Sequence, residues 1–408
     1  MRITHVNKYY WPPHIGGVET ALHDIATGVA ARPGYEVRAI VANEAHETVR
    51  EMVDGVEVTR LGRVAAFSNT PIVPSLPRVI STEATRPDPA DLLHIHFPYP
   101  WGEISWLRAT RSGHAGAGLP TVVSYHSDIV RQKKTLAVYT PLLEYFLDRV
   151  DVIIASSPNM VEHSPFLAPR AAKCRVVPYG IDVKRFAETP RLLERAAQLR
   201  STHERPLVLF VGRLVYYKGA DVLVRAMAHV DADLVIVGAG PLEGELRELA
   251  VAHGVADRVT WIPRIDGDDL AAWYHAADVL ALPSVARSEA FGLVQLEAHA
   301  SGTPVVTTTL TTSVPFVNAD GVTGFNVPVG DVGALASALE RLVGDSELRA
   351  RLGSQARERA RREFTIDRMV DDILVVYEEA IAAHEAHATL GTAGSARVSA
   401  DSTAGARS

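Results

Sequence analysis

The sequence of 408 residues lacks two features, a set of cysteines and a long apolar run. Its single cysteine, Cys174, excludes an internal disulfide framework and fits a reducing compartment. No apolar run approaches the length of about 20 residues that is needed to span a bilayer. The start at residues 2–6 is interpreted as a strand and not as a secretory signal. We therefore expect a cytoplasmic protein in which Cys174 is a small packed residue rather than a reactive thiol.

The chain also lacks an excess of basic charge. Its formal net charge is −7, with +2 in residues 1–185 and −9 in residues 186–408. This acidity argues against a nucleic-acid partner. One basic run, Arg131-Gln132-Lys133-Lys134, leaves open a contact with an anionic acceptor or a peripheral contact with the inner face of a membrane. Such a run is more often a solvated helix face.

Short apolar runs alternate with helical patterns along the whole chain, which is typical of parallel β–α–β units. The pattern predicts an α/β protein with two Rossmann-like, doubly wound domains. Residues 68–89 are rich in proline and polar residues and predict an irregular excursion. The predicted strands are residues 2–6, 36–42, 92–96, 121–125 and 152–156 in the first half, and 207–211, 233–237, 259–262, 279–282, 304–308 and 324–327 in the second.

The domain boundary is predicted near residues 177–186, so the first domain covers residues 1–185 and the second covers residues 186–364. Apolar positions at helical spacing predict a final helix over residues 365–383. Residues 384–408 contain few apolar anchors, and we expect a disordered tail there.

Two glutamates, Glu289 and Glu297, stand on either side of Gly292, between a predicted strand and a predicted helix. If the helix begins near Gly292, the free N–H groups of Gly292, Leu293 and Val294 favour an anion. Glu297 can face the same cleft from one face of the helix. A phosphate cradle between two carboxylates suits a nucleotide sugar, whereas two solvated surface glutamates are the ordinary alternative.

Two further passages follow predicted strands. Arg213 and Lys218 come after the strand at residues 207–211, at the end of the strand where α/β folds bind ligands. Arg213 can donate two parallel hydrogen bonds to a phosphate and Lys218 adds a point charge, which would neutralise a diphosphate leaving group without a metal. Gly16 and Gly17 follow the first strand, where glycine lets backbone N–H groups approach a phosphate or a sugar.

These passages resemble a known family. Residues 289–298 with Gly302-Thr303-Pro304-Val305-Val306 resemble the E-x7-E signature of retaining GT-B glycosyltransferases of family 4. Residues 212–219 resemble its Gly-Arg-Leu-x-x-x-Lys-Gly pattern, and residues 16–19 its Gly-Gly-x-Glu loop beside the donor phosphates. Residues 179–186 resemble its Asn-Gly-Ile-Asp-x-x-x-Phe passage, with Tyr179 in place of the usual Asn.

The resemblance implies a GT-B fold with a cleft between two domains, and it implies roles for single residues. Arg213 and Lys218 would hold the diphosphate of the donor, and Glu297 would hold its ribose. Glu289 would contact hydroxyls of the donor sugar, and His126 would hydrogen-bond a sugar hydroxyl and stabilise charge. Retention of anomeric configuration by front-face attack is the implied mechanism.

Four other positions also receive predictions. The resemblance places the nucleotide base at Arg264 and Ile265, although a surface arginine is nearly as good an interpretation of Arg264. His94 and His96 flank Ile95, and we expect them on opposite faces of a strand, one packed and the other facing the acceptor. Their spacing, with no cluster of carboxylates or cysteines nearby, argues against a metal pair.

The donor and acceptor are predicted only by class. Residues 125–133 and 312–318 resemble a subgroup that builds polysaccharides, many members of which use GDP-mannose, so a GDP-mannose donor is favoured over a UDP-sugar. The donor is a co-substrate, and no further cofactor is expected. The acceptor is a glycan, a lipid-linked molecule or a small molecule. A nucleotide-sugar epimerase of the same fold and a non-catalytic sugar-nucleotide-binding subunit are the alternatives.

Overall fold

The computed structural model describes residues 1–12, 16–67, 70–129 and 133–404, without the side chains of residues 133–137 and 387–404. Pro13, His14 and Ile15 of the first glycine passage therefore lie outside the described residues. So do Arg131 and Gln132 of the basic run, and the side chains of Lys133 and Lys134 are not described either.

Strands of the two halves of the chain form two separate main sheets. In chain order, the strands of the first half are β1 (Arg2–Val6), β2 (Glu36–Ala42), β3 (Val49–Val53), β4 (Val56–Leu61), β5 (Ala65–Phe67), β6 (Thr70–Ile72), β7 (Leu92–Phe97), β8 (Thr121–Tyr125), β9 (Val152–Ala155) and β10 (Cys174–Val176). Those of the second half are β11 (Leu207–Val211), β12 (Asp233–Val237), β13 (Val259–Ile262), β14 (Val279–Leu282), β15 (Val305–Thr308) and β16 (Gly324–Val327).

Helices alternate with these strands and cover the sheets. They are α1 (Gly17–Ala30), α2 (Leu76–Thr82), α3 (Pro100–Ala109), α4 (Lys133–Arg149), α5 (Pro158–His163), α6 (Pro190–Arg200), α7 (Ala220–Ala226), α8 (Glu243–Ala252), α9 (Gly267–Ala276), α10 (Val294–Ser301), α11 (Val314–Val317), α12 (Val332–Gly344), α13 (Ser346–Glu363) and α14 (Ile366–Ala404).

Both main sheets are doubly wound. The first has the order β10-β9-β8-β7-β1-β2-β4-β3, with β3 as its only antiparallel strand among the described residues. The second has the order β13-β12-β11-β14-β15-β16 and is parallel throughout. The winding reverses between β1 and β7 and again between β11 and β14. Ligands of such folds bind beyond the carboxyl ends of the strands at this reversal, so the topology already selects the loops after β1, β11 and β14.

Burial on both faces explains why the sequences of the central strands are continuous apolar runs. In β11, Val208 and Phe210 pack into one core cluster, whereas Leu207, Leu209 and Val211 pack into another on the opposite face. Successive side chains of a strand point to opposite faces, so a strand between two layers of helices must be apolar at every position. Strands of this kind, such as β11, β12 and β14, have the predicted bounds.

The strands that the sequence analysis missed lie at edges or in short hairpins. β3 is exposed along most of its length, and β5 is exposed throughout, so neither shows an apolar pattern. The irregular excursion predicted over residues 68–89 contains β6 and α2. α10 begins at Val294, two residues after the predicted start at Gly292.

The last helix, α14, packs against the first half of the chain. Met369, Ile373 and Tyr377 share a core cluster with residues of β1, β2 and α1. The sequence analysis ended this helix at residue 383 and predicted a disordered tail, but α14 continues to Ala404. Residues 384–404 contain no proline and several alanines, so the backbone can stay helical without the apolar anchors on which the prediction depended.

Cys174 lies in the edge strand β10, and its thiol contacts the carbonyl oxygen of Arg170 at 3.4 Å. Burial raises the pKa of the Cys174 thiol to about 11, so it stays protonated near neutral pH. This agrees with a packed residue rather than a reactive one. Within the described part of the chain, no helix combines the length and the apolar character that crossing a membrane requires.

Candidate active site in the cleft

A cavity of about 450 Å³ lies between the two halves of the chain, beyond the carboxyl ends of the strands. Gly17, His126 and Tyr179 line it from the first half. Lys218, Glu289 and the segment from residue 291 to 294 line it from the second half. The fold thus brings together predicted residues from four separate passages.

Lys218 and Glu289 form a buried ion pair in this cavity. The Lys218 ammonium lies 2.6 Å from the Glu289 carboxylate, and the two side chains are only 12% and 8% exposed. Ser284 donates a hydrogen bond of 3.0 Å to the same carboxylate. Burial lowers the pKa of Lys218, but the charge of Glu289 outweighs it and raises the pKa above its usual value. Lys218 is therefore a cation at neutral pH, and Glu289 holds it in place.

The start of α10 presents free backbone donors beside this pair. Gly292 has φ 75°, and a Cβ atom there would lie 2.7 Å from the Leu282 side chain, so glycine is required. No acceptor among the described residues takes the N–H groups of Gly292, Leu293 and Val294. Such unpaired donors at a helix N-terminus favour an anion. The structure places unpaired donors at this position, and their binding of phosphate stays a prediction.

The two glycines after β1 have different surroundings. Gly16 is the N-cap residue of α1, and a Cβ atom there would lie 2.3 Å from a carboxylate oxygen of Glu19. Gly17 lines the cavity, and a Cβ atom there would meet nothing within 4 Å. Gly16 therefore makes room for the Glu19 carboxylate, while Gly17 leaves the cavity wall open for a ligand.

Glu297 lines a second cavity of about 160 Å³ that shares Tyr179 and Leu293 with the first. The Tyr274 hydroxyl donates a hydrogen bond to the Glu297 carboxylate. Burial raises the pKa of Glu297, although this hydrogen bond and the charge of Arg185 oppose the shift. The carboxylate can accept hydrogen bonds from ligand hydroxyls, but it is costly to keep charged in the empty cleft.

Arg213 differs from Lys218 in having no partner. Its side chain is exposed just beyond β11, and it makes no hydrogen bond or ion pair with the described residues. Arg264 is also exposed and pairs with Asp266 at 3.5 Å, while Ile265 packs against the core cluster behind β13. Arg213, Arg264 and Ile265 line neither of the two cavities.

Comparison with known proteins identifies the family. Two family models match the chain, Glycosyltransferase Family 4 over residues 15–185 and Glycosyl transferases group 1 over residues 194–359. The O-antigen chain mannosyltransferase C of Escherichia coli is 33% identical over 377 residues, which cover 92% of this chain and 98% of the relative. The chain belongs to glycosyltransferase family 4.

Another relative and a solved structure agree with this membership. The D-rhamnosyltransferase WbpZ of Pseudomonas aeruginosa is 31% identical over 365 residues, which cover 90% of this chain and 92% of the relative. The structure of sucrose-phosphate synthase from Thermosynechococcus elongatus matches with a TM-score of 0.77 and 25% identity, over 94% of this chain and 99% of that chain. The glycosyltransferase has the predicted GT-B fold.

His126 of the glycosyltransferase is buried, and both of its ring nitrogens already have protein partners. Its Nε2 lies 2.9 Å from His96 Nδ1, and its Nδ1 is hydrogen-bonded to the Tyr179 hydroxyl. Burial lowers the pKa of His126 to about 3, so the ring is neutral. The prediction that the His126 ring bonds a sugar hydroxyl therefore requires the ring to give up one of these partners.

The prediction that His94 and His96 lie on opposite faces of β7 is wrong. Their rings stack with centroids 4.5 Å apart, and both are buried. Side chains two residues apart in a strand point to the same face, so the strand geometry requires this arrangement. Neither ring is at the protein surface to meet an acceptor.

Ring nitrogens of His5, His94 and His96 lie within 4.8 Å of one another, a spacing that could hold a metal ion. Five of the six ring nitrogens already have hydrogen-bond partners within the described residues: His94 bonds Tyr377 and Ser124, and His96 bonds His5 and His126. Among the described residues, only His5 Nε2 has none. The cluster is a hydrogen-bonded network in this arrangement, and a metal ion would have to replace hydrogen bonds of His94 and His96.

Sequence reasoning missed two sets of residues that the fold places at the cleft. Tyr179 lines both cavities, and its only signal was that it replaces the usual Asn of its passage. The second set joins the two halves: Asp128 pairs with Arg287, and the Ser313 hydroxyl is hydrogen-bonded to Ser156 and Ser157. Contacts between residues so far apart in the chain leave no local pattern in the sequence.

Proposed function

We propose that this glycosyltransferase moves a hexose, with retention of anomeric configuration, from a nucleotide diphosphate sugar to a hydroxyl of its acceptor. The observation that carries the proposal is the Lys218–Glu289 pair beside the free N–H groups at the start of α10, in one cavity between the halves. The cation and the N–H groups suit a diphosphate, and the carboxylate suits sugar hydroxyls.

The donor would bind mainly to the second half of the chain. Lys218 and the N–H groups of Leu293 and Val294 would hold the diphosphate. Arg213, which has no partner within the described part of the chain, would move onto it. Glu297 would accept hydrogen bonds from the ribose, because its cavity adjoins the first through Leu293. We retain Gly16 and Gly17 as a second contact with the phosphates, and Arg264 with Ile265 as the base loop.

Catalysis would depend on stabilising the leaving diphosphate. Negative charge grows on it as the glycosidic bond breaks, and fixed cations and amides stabilise that charge without reorganisation. We propose that these groups make a metal ion unnecessary. Glu289 is paired with Lys218. This pairing suits a residue that orients the donor sugar more than it suits a covalent nucleophile. The acceptor hydroxyl would attack from the leaving-group side and pass its proton to the diphosphate.

A GDP-mannose donor is favoured over a UDP-sugar. One relative is by name a mannosyltransferase and the other a D-rhamnosyltransferase. D-Rhamnose is 6-deoxy-D-mannose, so both names refer to sugars with the same axial hydroxyl at carbon 2. The E. coli relative is named for O-antigen chains, which favours a glycan or lipid-linked glycan over a small-molecule acceptor. Peripheral contact with a membrane remains part of the proposal.

Thermal unfolding of the purified protein with GDP-mannose, GDP, UDP-glucose and UDP, each with and without EDTA, tests the donor. A ligand that binds only the folded protein raises Tm as its concentration exceeds Kd. We expect GDP-mannose and GDP to raise Tm most, and EDTA to leave the shift unchanged. No shift with any of the four would reject a sugar-nucleotide-binding protein. A shift that disappears with EDTA would reject metal independence.

Product analysis tests the reaction. With GDP-mannose and a mannose-terminated oligosaccharide carrying a chromophore, proton NMR of the product should show an α-linked mannose, the configuration of the donor. A β-linked product would reject retention. Binding of the donor with no transfer would support a non-catalytic subunit. Release of a sugar that is epimerised relative to the donor, with no acceptor required, would support an epimerase. Release of unchanged mannose would show only hydrolysis of the donor.

A further inference from the structure

Four side chains form a continuous hydrogen-bonded line from the core of the first half to the cleft. His5 Nδ1 lies 3.0 Å from His96 Nε2, and His96 Nδ1 lies 2.9 Å from His126 Nε2. The line ends where His126 Nδ1 meets the Tyr179 hydroxyl. At the other end, His5 Nε2 is buried and has no partner among the described residues. The line thus ends at His5 Nε2 in the core and at the Tyr179 hydroxyl in the cavity wall.

Burial keeps the three histidines neutral. It lowers the pKa of His5 and of His126 to about 3, and the pKa of His96 falls well below its ordinary value for the same reason. A neutral imidazole carries one N–H and one bare nitrogen. Each ring can therefore donate on one side only, so all hydrogen bonds of the line must point in the same direction.

His5 Nε2, at the core end of the line, determines the direction of the hydrogen bonds. If the bonds pointed toward the core, His5 Nε2 would carry a buried hydrogen with no acceptor among the described residues. Buried N–H groups without an acceptor are rarer in folded proteins than buried acceptors without a donor, which is what His5 Nε2 becomes in the other orientation. If they point toward the cleft, each Nδ1–H donates to the next group, and His126 donates to the Tyr179 oxygen. The Tyr179 hydroxyl hydrogen then has no partner in the line and is free for a ligand.

The Tyr179 ring is fixed in the cavity wall. It stacks on His126 with centroids 5.8 Å apart and meets Phe291 edge-on at 4.9 Å. Tyr179 lines the same cavity as Lys218 and the N–H groups at the start of α10. The Glu289 carboxylate also lines this cavity, but it is paired with Lys218. The unpaired N–H groups and the cation favour a ligand oxygen that carries negative charge.

We propose that Tyr179 contacts the donor directly, by donating a hydrogen bond to an oxygen of its diphosphate, and that His5, His96 and His126 are positioning residues that orient this hydroxyl. The inference rests on the proposed function, since it names a further contact of the same donor site. It also changes the role proposed for His126, which here orients the Tyr179 hydroxyl instead of contacting the sugar.

Calorimetric titration of GDP and of UDP into wild-type protein and Tyr179→Phe tests the contact. Phenylalanine keeps the ring between His126 and Phe291 and removes only the hydroxyl. We expect the nucleotide that binds wild type more tightly to bind Tyr179→Phe about tenfold more weakly, as for the loss of one hydrogen bond to a charged group. Equal affinity of the two proteins would overturn the contact.

Tyr377→Phe is the matched control. The Tyr377 hydroxyl also bonds a buried histidine of the cluster, His94, at 2.8 Å, but it lies outside the line and the cavity. We expect this variant to bind the nucleotide as wild type does, even if its Tm falls. If Tyr377→Phe weakened binding as much as Tyr179→Phe, the effect would come from general loosening of the cluster and the inference would be wrong.

A spectroscopic measurement separates this inference from the proposed function. Long-range proton–nitrogen correlation spectra of protein labelled with ¹⁵N-histidine distinguish Nδ1–H from Nε2–H rings, and His→Gln variants assign them. We expect Nδ1–H at His5, His96 and His126. An Nε2–H ring at His126 would overturn the orientation whatever the protein binds. If neither nucleotide bound wild type, the proposed function and the contact would both fall, and the spectrum would still decide the orientation of the line.

Discussion

Arg287 in the second half of the chain forms an ion pair with Asp128 in the first half, so the pair spans the cleft. Each residue stands two positions from a site residue, Asp128 after His126 and Arg287 before Glu289. Asp128 also accepts hydrogen bonds from Tyr125 and Ser164. The pair therefore connects the two loops that meet at the candidate active site.

Breaking this pair should impair catalysis more than folding. In a double-mutant cycle with Arg287→Gln and Asp128→Asn, we expect both single variants to lower kcat/KM, and the second substitution to add little to the first. A coupling energy of about 1 kcal/mol is typical of residues in direct contact. Arg205→Gln removes the pairs of Arg205 with Asp231 and Asp233, which lie within the second half, and is the control. Fully additive effects on kcat/KM would contradict a role across the cleft.

Replacing Lys218 should damage both stability and turnover, because Glu289 would be left charged and buried. Removing one partner of a buried ion pair costs about 3–5 kcal/mol. We expect Lys218→Met to lower Tm markedly, and Lys218→Met with Glu289→Gln to recover much of the loss. Turnover should be low in both the single and the double variant, since both lack the Lys218 cation. Unfolding curves and steady-state rates of the two variants test this, and recovery of turnover in the double variant would contradict the role of Lys218.

Arg213→Ala should lower turnover while leaving the stability of the protein almost unchanged. Arg213 is exposed and has no partner among the described residues, so its loss should change the unfolding free energy by less than about 0.5 kcal/mol. If the guanidinium moves onto the donor phosphates, kcat/KM should fall by a factor on the order of 100. Arg351→Ala, another exposed arginine on α13, is the control. Unchanged kinetics in Arg213→Ala would exclude it from the site.

Glu297 should make the empty enzyme less stable as pH rises. Burial raises the pKa of Glu297 above its usual value of 4.5, so the folded protein holds the proton more tightly than the unfolded chain. The contribution of this proton to stability is present at low pH and is lost as pH rises through the folded pKa. Glu297→Gln lacks this dependence.

Tm measured from pH 4 to pH 8 for both proteins tests the prediction. We expect the Tm of wild type to fall relative to that of Glu297→Gln as pH rises, while donor binding is weaker in the variant because the ribose loses its acceptor. A difference in Tm that is constant over this range would contradict the raised pKa. Unchanged donor affinity would contradict the ribose contact.

Local sequence determined the parts of the molecule that have local causes. Strands such as β11 and β14 are buried on both faces, and their continuous apolar runs gave the predicted bounds. Gly292 and the residues after it carry the signal for a helix start with unpaired N–H groups, because the turn and these groups are made by neighbours in the chain. Lys218 and Glu289 could be assigned to one cleft, because both follow strands of a parallel sheet near the reversal of its winding.

Only the tertiary structure decided which of these groups already have partners. Lys218 is paired with Glu289, whereas Arg213 has no partner among the described residues, although both follow β11 in the same loop. The line from His5 to Tyr179 joins residues from four distant parts of the chain. The pairing of β1, β7 and β8 and the loops after β8 and β10 bring these side chains into contact. Sequence determines what each residue can donate, accept or bury. Which partner meets it depends on contacts between distant segments, and those leave no periodic pattern along the chain.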